Sequence, residues 1–203
     1  FSPATAILRL MDRLACTVTL NAAGAPMPPT TITEDEAAAR AALARYGAAV
    51  FKPLFSTKAR GMVLLEADAP DAEAQIAAFK AENPVMYIQK KADLSGHDLG
   101  MVFLGGEYIC TYARVSQTDS WNTTIHSGGK YAPYEPDAEL IELGRRAQAP
   151  FGLTFTTVDI ALTPDGPIVF EVSAFGGYRG AQEGCGIDAA ALVADHVLEQ
   201  VRA

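Results

Sequence analysis

The chain has 203 residues, 49% of them hydrophobic, enough for one sizeable core or two small lobes. Acidic residues outnumber basic ones, 24 to 16, and the net charge of −8 repels a phosphate backbone, so no nucleic-acid partner is expected. No run of about 18 apolar residues occurs, so no membrane span is expected either.

The start, Phe1-Ser2-Pro3-Ala4-Thr5, carries no basic n-region and reads as no signal peptide. It also lacks an initiator Met, which leaves room for an upstream segment. Cys16, Cys110 and Cys185 form no C-x-x-C and are odd in number, so reduced thiols and a cytoplasmic location are expected, with neither a disulfide framework nor a zinc site.

In chain order, Ala6 to Leu14 reads as a short helix with apolar Ile7, Leu10, Met11 and Leu14. Ala25 to Thr30 is an extended linker, because each Pro disfavours helix at the residue before it. Thr33 and Glu36 have capping-box spacing and open an Ala-rich helix that stops at Gly47. Strands follow at 49–54 and 61–65, with a loop at Ser56 to Arg60 between them. Asp71 to Ala81 is helical, and Pro84 to Gln89 is a strand. The stretch from Asp98 to Arg114 forms a hairpin closed by Gly105-Gly106, a type I′ signal. Asp137 to Gln148 is a helix, a second hairpin spans 157–172, a Gly-rich loop covers 175–180, and a last helix runs from about Asp188 to Val201. Mixed elements with antiparallel hairpins give an α+β class in two layers or lobes.

The second hairpin carries the strongest chemical signal. Thr163-Pro164-Asp165-Gly166-Pro167 is a turn, since Pro presets φ and Gly accepts φ > 0. Symmetric pairing about Asp165 sets Asp159 opposite Glu171, with Cβ atoms about 5 Å apart. Like charges there repel, and a divalent cation is the commonest remedy. A slipped register, or one carboxylate turned to solvent, is the alternative.

Lys52 stands inside an apolar strand, either as an edge-strand charge against aggregation or as a point charge for phosphate. Lys58 and Arg60 follow in the loop, and Gly61 lets its backbone approach a ligand, so the segment is a candidate phosphate clasp. It matches neither a P-loop nor G-x-G-x-x-G. The stretch from Trp121 to Lys130 reads as a surface loop, with His126 hydrogen-bonded rather than catalytic. Asp98 and Arg114 read as a surface ion pair. Met86, Tyr87 and Ile88 read as core, although an adenine ring would accept such neighbours.

Taken in order, these pieces resemble the ATP-grasp ligases, and most closely the RimK-like group, over nearly the whole chain. Met11 to Leu14 resembles the group's opening D-K helix. Pro26 to Thr30 resembles I-P-x-P-x-T, and Phe51 to Gly61 resembles the K-P-x-x-G-S-x-G-R-G strand and phosphate lid. Tyr87 to Lys91 is similar to the V-Q-E-Y/F-I adenine hinge, Asp98 lies at D-I-R, and Asn122 to Lys130 resembles the N-x-x-R-G-G loop. Val158-Asp159-Ile160 and Phe170 to Gly177 resemble V-D-I and E-V-N-x-x-P-G, and Gly186-Ile187-Asp188 matches G-[VI]-D.

The resemblance implies an ATP-grasp fold over 1–203: two α+β lobes clasping a nucleotide, a smaller ATP-binding subdomain at about 28–92 and a catalytic lobe at about 93–203. It leads to the expectation that the N-terminal domain that usually precedes this fold is missing, the chain being a fragment or a divergent short form. It implies ATP with Mg²⁺, Mn²⁺ being admissible, with Asp159, Glu171 and Ser173 as metal ligands. Nucleotide contacts would come from Arg13, Lys52, Ser56, Thr57, Lys58, Arg60, Gly61, Gln89, Lys90, Lys91 and Asp98, and catalysis from Arg114 and Lys52. The implied reaction is an ADP-forming amide ligation of a carboxylate and an amine, glutamate among the candidates, through an acyl-phosphate. Both substrates would be small molecules, and a homo-oligomer is admissible.

The departures are Ser173 for Asn, Ser56 and Ala59 for lid glycines, Lys90 for the hinge acid, Gly100 for the D-I-R arginine, and Thr124 and Ser127 in the loop. They leave open an alternative: a weak or non-catalytic ATP-binding module of the same fold.

Overall fold

The structure, a computed structural model, describes residues 1–57, 59–94, 96–116 and 129–202. Lys58 and the stretch that contains Asn122, Thr124, His126 and Ser127 lie outside the described residues.

Two helices open the chain, α1 (Ala4–Met11) and α2 (Arg13–Ala22). The sequence suggests one helix running through to Leu14. Instead Asp12 takes extended backbone and caps the second helix, its Oδ1 accepting the Leu14 and Ala15 N–H groups at 2.9 and 3.3 Å. The linker then leads to β1 (Thr30–Thr33) and α3 (Glu36–Tyr46). The cap of α3 is Asp35, which accepts from the Ala38 N–H at 2.7 Å, and not Thr33. Thr33 instead accepts from the Asp35 N–H, so the turn starts two residues later than the spacing suggests.

β2 (Ala48–Lys52), β3 (Val63–Glu66), α4 (Ala72–Glu82) and β4 (Met86–Lys90) complete a smaller lobe. Its antiparallel sheet has the order β1-β4-β2-β3. Helices α3 and α4 cover it through Leu43, Ile76 and Phe79, which meet Phe51 and Ile88. The Phe51 and Phe79 rings pack edge to face at 5.5 Å.

The larger lobe holds β5 (His97–Leu104), β6 (Glu107–Val115), β7 (Lys130–Tyr134), α5 (Ala138–Gln148), β8 (Phe155–Thr163), β9 (Gly166–Ser173), α6 (Tyr178–Cys185) and α7 (Ala189–Arg202). The sheet order is β7-β6-β5-β8-β9, again antiparallel. Strand alternation splits its core. Leu99, Met101 and Phe103 pack with Leu140 and Leu143 of α5, while Val102, Cys110 and Tyr112 pack with Ala181 of α6. Gly105 and Gly106 both have φ > 0, as the type I′ turn requires.

The β8–β9 hairpin reaches the expected pairing by an unexpected route. Thr163 pairs with Gly166, so the loop is one residue tighter than a turn centred on Asp165. Ile160 then pairs with Val169, and a bulge at Phe170 brings Asp159 opposite Glu171. The tight turn and the extra residue cancel.

Tyr112 explains a departure noted in the sequence. Its ring covers Gly100, where an added Cβ would come within 2.3 Å of it, so the arginine of the D-I-R pattern has no room there. Gly177, Gly180 and Gly184 pack around the same ring at comparable distances.

Candidate active site

Asp159 and Glu171 face each other on the larger sheet, and Ser173 lies two residues beyond Glu171 on the same face, opposite Thr157. In the next strand Gly100 pairs with Asp159 and with Tyr112, and Asp98, two residues earlier on the same face, pairs with Arg114 of β6. The Arg114 Nε donates to both Asp98 oxygens at 3.1 Å, and its Nη2 bonds Asp98 Oδ2 as well as Asp159 Oδ1, the latter at 3.1 Å. The pair expected at the surface is therefore buried and extends to a third residue. Burial works against the Arg114 charge, but Asp159 and Asp98 outweigh it and hold its pKa well above the ordinary value. Burial pushes the Asp159 carboxyl up to about 7; Arg114 opposes that rise, while Glu171 and Asp98 add to it.

Glu171 meets a different cation. Arg13, the first residue of α2, donates to its Oε2 at 3.3 Å. The same guanidinium holds the Pro53 carbonyl at 3.1 Å and Ser56 through both its carbonyl and its hydroxyl. Arg13 thus ties the hairpin of the larger lobe to the lid segment of the smaller one.

Lys52 ends β2. Its ammonium donates to Gln89 Oε1 at 2.6 Å and sits 5.4 Å from the centre of the Phe170 ring. Burial, and then the nearby Arg13, pull its pKa down to about 7, with Glu171 pulling the other way. The Gln89 side chain is buried and donates to Thr30 Oγ1 at 3.1 Å and to the Tyr87 hydroxyl at 3.2 Å. Tyr87 in turn bonds Thr17 of α2 at 2.8 Å, and its ring lies 5.9 Å below the Arg13 guanidinium. The two phosphate-type cations therefore rest on one buried strut, Tyr87–Gln89. Thr17, Thr30, Tyr87 and Phe170 were not singled out as site residues from sequence. Alternation along β4 was the signal available for Tyr87 and Gln89, since both lie on the Thr30 side of the strand.

A cavity of about 650 Å³ opens beside Glu171, lined by Arg13, Ser56, Thr57, Arg60, Glu171 and Ser173 among others. These six of the expected residues are brought together, with Lys52 and Gln89 adjoining through Phe170. Asp98, Arg114 and Asp159 form the neighbouring buried cluster. Lys90 and Lys91 stand exposed at the end of β4 and join neither group.

The lid keeps the backbone demand for glycine where the residue has changed. Ala59 has φ 56°, in the left-handed region, and Gly61 has φ 70°, where an added Cβ would come within 3.1 Å of the Pro53 ring. Ala59→Gly is expected to raise stability by about 0.5–1 kcal/mol in urea unfolding, the relief of strain exceeding the added chain entropy.

The donor set suits a hard divalent ion: two facing carboxylates and the Ser173 hydroxyl on one face, with Arg13 and Arg114 offsetting the carboxylate charge. Among the described residues no cluster of three or more His, Cys, Asp or Glu side chains could hold a metal. No helix among the described residues is long and apolar enough to cross a membrane.

The geometry has counterparts. A protein of Xanthomonas euvesicatoria named "Probable alpha-L-glutamate ligase" is 27% identical over 203 residues, covering 99% of this chain and 69% of its own length. The tetrahydromethanopterin:alpha-L-glutamate ligase of Methanococcus maripaludis is 28% identical over 181 residues, 87% of this chain and 61% of its own. Among solved structures, the ATP-grasp ligase PsnB complexed with minimal precursor, Mg and ADP superposes with a TM-score of 0.79 at 24% identity, over 100% of this chain and 62% of that one. The D-cycloserine synthetase DcsG superposes with a TM-score of 0.80 at 19% identity, over 98% and 73%. The chain thus spans 61–73% of the length of these four proteins. The family model of the RimK-like ATP-grasp domain matches residues 10–197, nearly the whole chain, and with two antiparallel-sheet lobes meeting at Arg13, Lys52 and the Asp159–Glu171 hairpin, the chain belongs to the RimK-like ATP-grasp family.

Proposed function

We propose that this chain holds the reaction site of an ATP-dependent ligase that joins a carboxylate to an amine, with glutamate as the favoured amine. The observation that carries the reading is the in-register Asp159–Glu171 pair beside two cations, Arg13 and Lys52, that arrive from separate elements. The names of the relatives support it.

In this reading the acceptor carboxylate oxygen attacks the γ-phosphorus of ATP, the bond to the bridging oxygen breaks, and ADP leaves. The amine nitrogen then attacks the acyl carbon, the carbon–oxygen bond to phosphate breaks, and phosphate leaves as the nitrogen loses a proton. Lys52 and Arg13 place positive charge where the phosphates gather negative charge. Arg114, held by Asp98 and Asp159, positions the Asp159 carboxylate. Asp159, Glu171 and Ser173 would hold Mg²⁺, which when bound neutralises phosphate charge.

Titration calorimetry tests the reading. Mg-ATP is expected to bind the wild-type protein, and Asp159→Asn with Glu171→Gln is expected to weaken it roughly tenfold or more, since two charged ligands are lost. No heat at millimolar Mg-ATP would overturn the proposal. Ser173 motivates a second reading, a module that binds nucleotide without turnover: its hydroxyl, at the site of an expected amide, already accepts the Phe175 N–H at 3.4 Å. Formation of ADP together with an amide excludes that alternative.

A further inference from the structure

We propose that the 650 Å³ cavity takes the acceptor, and that this acceptor is a carboxylate bearing an aromatic or similarly bulky apolar group; the inference rests on the ligase reading above. That volume lies in the range that encloses a drug-sized molecule. Glu171 and Ser173 line it, and Lys52 adjoins it only through Phe170, so the cavity lies at the Glu171 side of the carboxylate pair. A carboxylate that reacts beside that pair must leave the rest of its molecule in the adjoining space, because reacting atoms stand about 3–3.5 Å apart.

The remaining wall is apolar and unusually open. Met11 is 51% exposed, Phe55 71% and Phe175 63%, and all three line this one cavity. They arrive from three separate segments: the end of α1, the lid, and the loop after β9. One exposed hydrophobe is ordinary, but three converging on a cavity with polar groups in its wall make a binding pocket. Charge complements the assignment. Arg60 also lines the cavity, and its side-chain hydrogen bonds go to Thr57 within the lid, to the carbonyl at 3.3 Å and the hydroxyl at 3.0 Å. An apolar carboxylate therefore meets a cation at its head and aromatic rings along its body.

Calorimetry with 3-phenylpropanoate, propanoate and glutarate, each with and without Mg-AMPPNP, tests the proposal. The aryl acid is expected to bind roughly tenfold or more tightly than either of the others, the worth of burying one ring. Phe55→Ser with Phe175→Ser, both at exposed positions, is expected to abolish that preference while circular dichroism shows the fold retained. Equal affinity for the three acids, or a preference that survives the double substitution, overturns the assignment. The nucleotide arm separates the two readings: if Mg-AMPPNP gives no heat while the aryl preference and its loss on substitution hold, the ligase reading fails and takes the acceptor role with it, and what stands is an aryl-carboxylate pocket.

Discussion

Arg114→Met is expected to destabilise the protein by about 3–5 kcal/mol, because it removes the guanidinium that the Asp98 and Asp159 carboxylates share. The loss should depend on pH in a definite direction. Folded Asp159 titrates near 7, against about 3.9 in an unfolded chain. Between those values the folded state binds more protons, so stability falls as pH rises through the window. Removing Arg114 removes the influence that lowers the Asp159 pKa, so the window widens upward. The variant should lie closest to wild type near pH 5 and furthest from it near pH 8. Urea unfolding at both values reads this out. A loss below about 1 kcal/mol that is equal at both pH values would show that the buried network carries little of the stability.

Lys52→Met is expected to separate activity from stability. The substitution removes a cation from the phosphate side, and ADP formation should fall about 10²–10³-fold. The same lysine is a burden on the folded protein. Its pKa is near 7 when folded and about 10.4 when unfolded, so the unfolded state binds more protons between those values and wild-type stability rises with pH across them. Methionine abolishes that dependence. It should therefore compare best with wild type near pH 6 and worst near pH 9, after a loss of about 1 kcal/mol for the unpaired Gln89 oxygen. Thermal unfolding at the two pH values, run beside an ADP assay, checks both halves. An inactive variant with the same stability difference at both values would show that Lys52 is not desolvated as described.

Much of this site was legible in the sequence where local chemistry decides it. Gly105-Gly106 dictates its turn, Asp137 its cap, and the Pro-Asp-Gly tip the hairpin that pairs Asp159 with Glu171. The expected pairing holds although the loop is tighter than symmetry suggests, because the bulge at Phe170, which residue spacing does not reveal, makes up the missing residue. Helix α2 was missed from Ala15 onward for a related reason. Cys16-Thr17-Val18-Thr19 has strand-like composition, and it is the Asp12 cap together with burial of Cys16 and Leu20 that makes it helical. The buried polar contacts were the least legible part. That Gln89 supports Lys52, or that Arg114 serves two aspartates, depends on strands brought together from distant parts of the chain. The apolar wall of the cavity was hidden in the same way, since Met11, Phe55 and Phe175 are neighbours only after folding.

The bulge at Phe170 has a consequence for how such a chain can change length over generations. The side-chain period along β9 is two, and the pairing of Thr163 with Gly166, carried on without a bulge, would set Asp159 opposite Phe170 and turn Glu171 to the other face. The extra residue taken up at Phe170 restores Glu171 to the carboxylate face. Deleting Phe170 would leave Val169 followed by Glu171 in regular alternation, so the Asp159–Glu171 pair would outlive the bulge. A residue inserted between Glu171 and Ser173 would instead turn Ser173 off that face. The hairpin can therefore shorten at Phe170 and keep its carboxylates opposed, while the step from Glu171 to Ser173 has a fixed length.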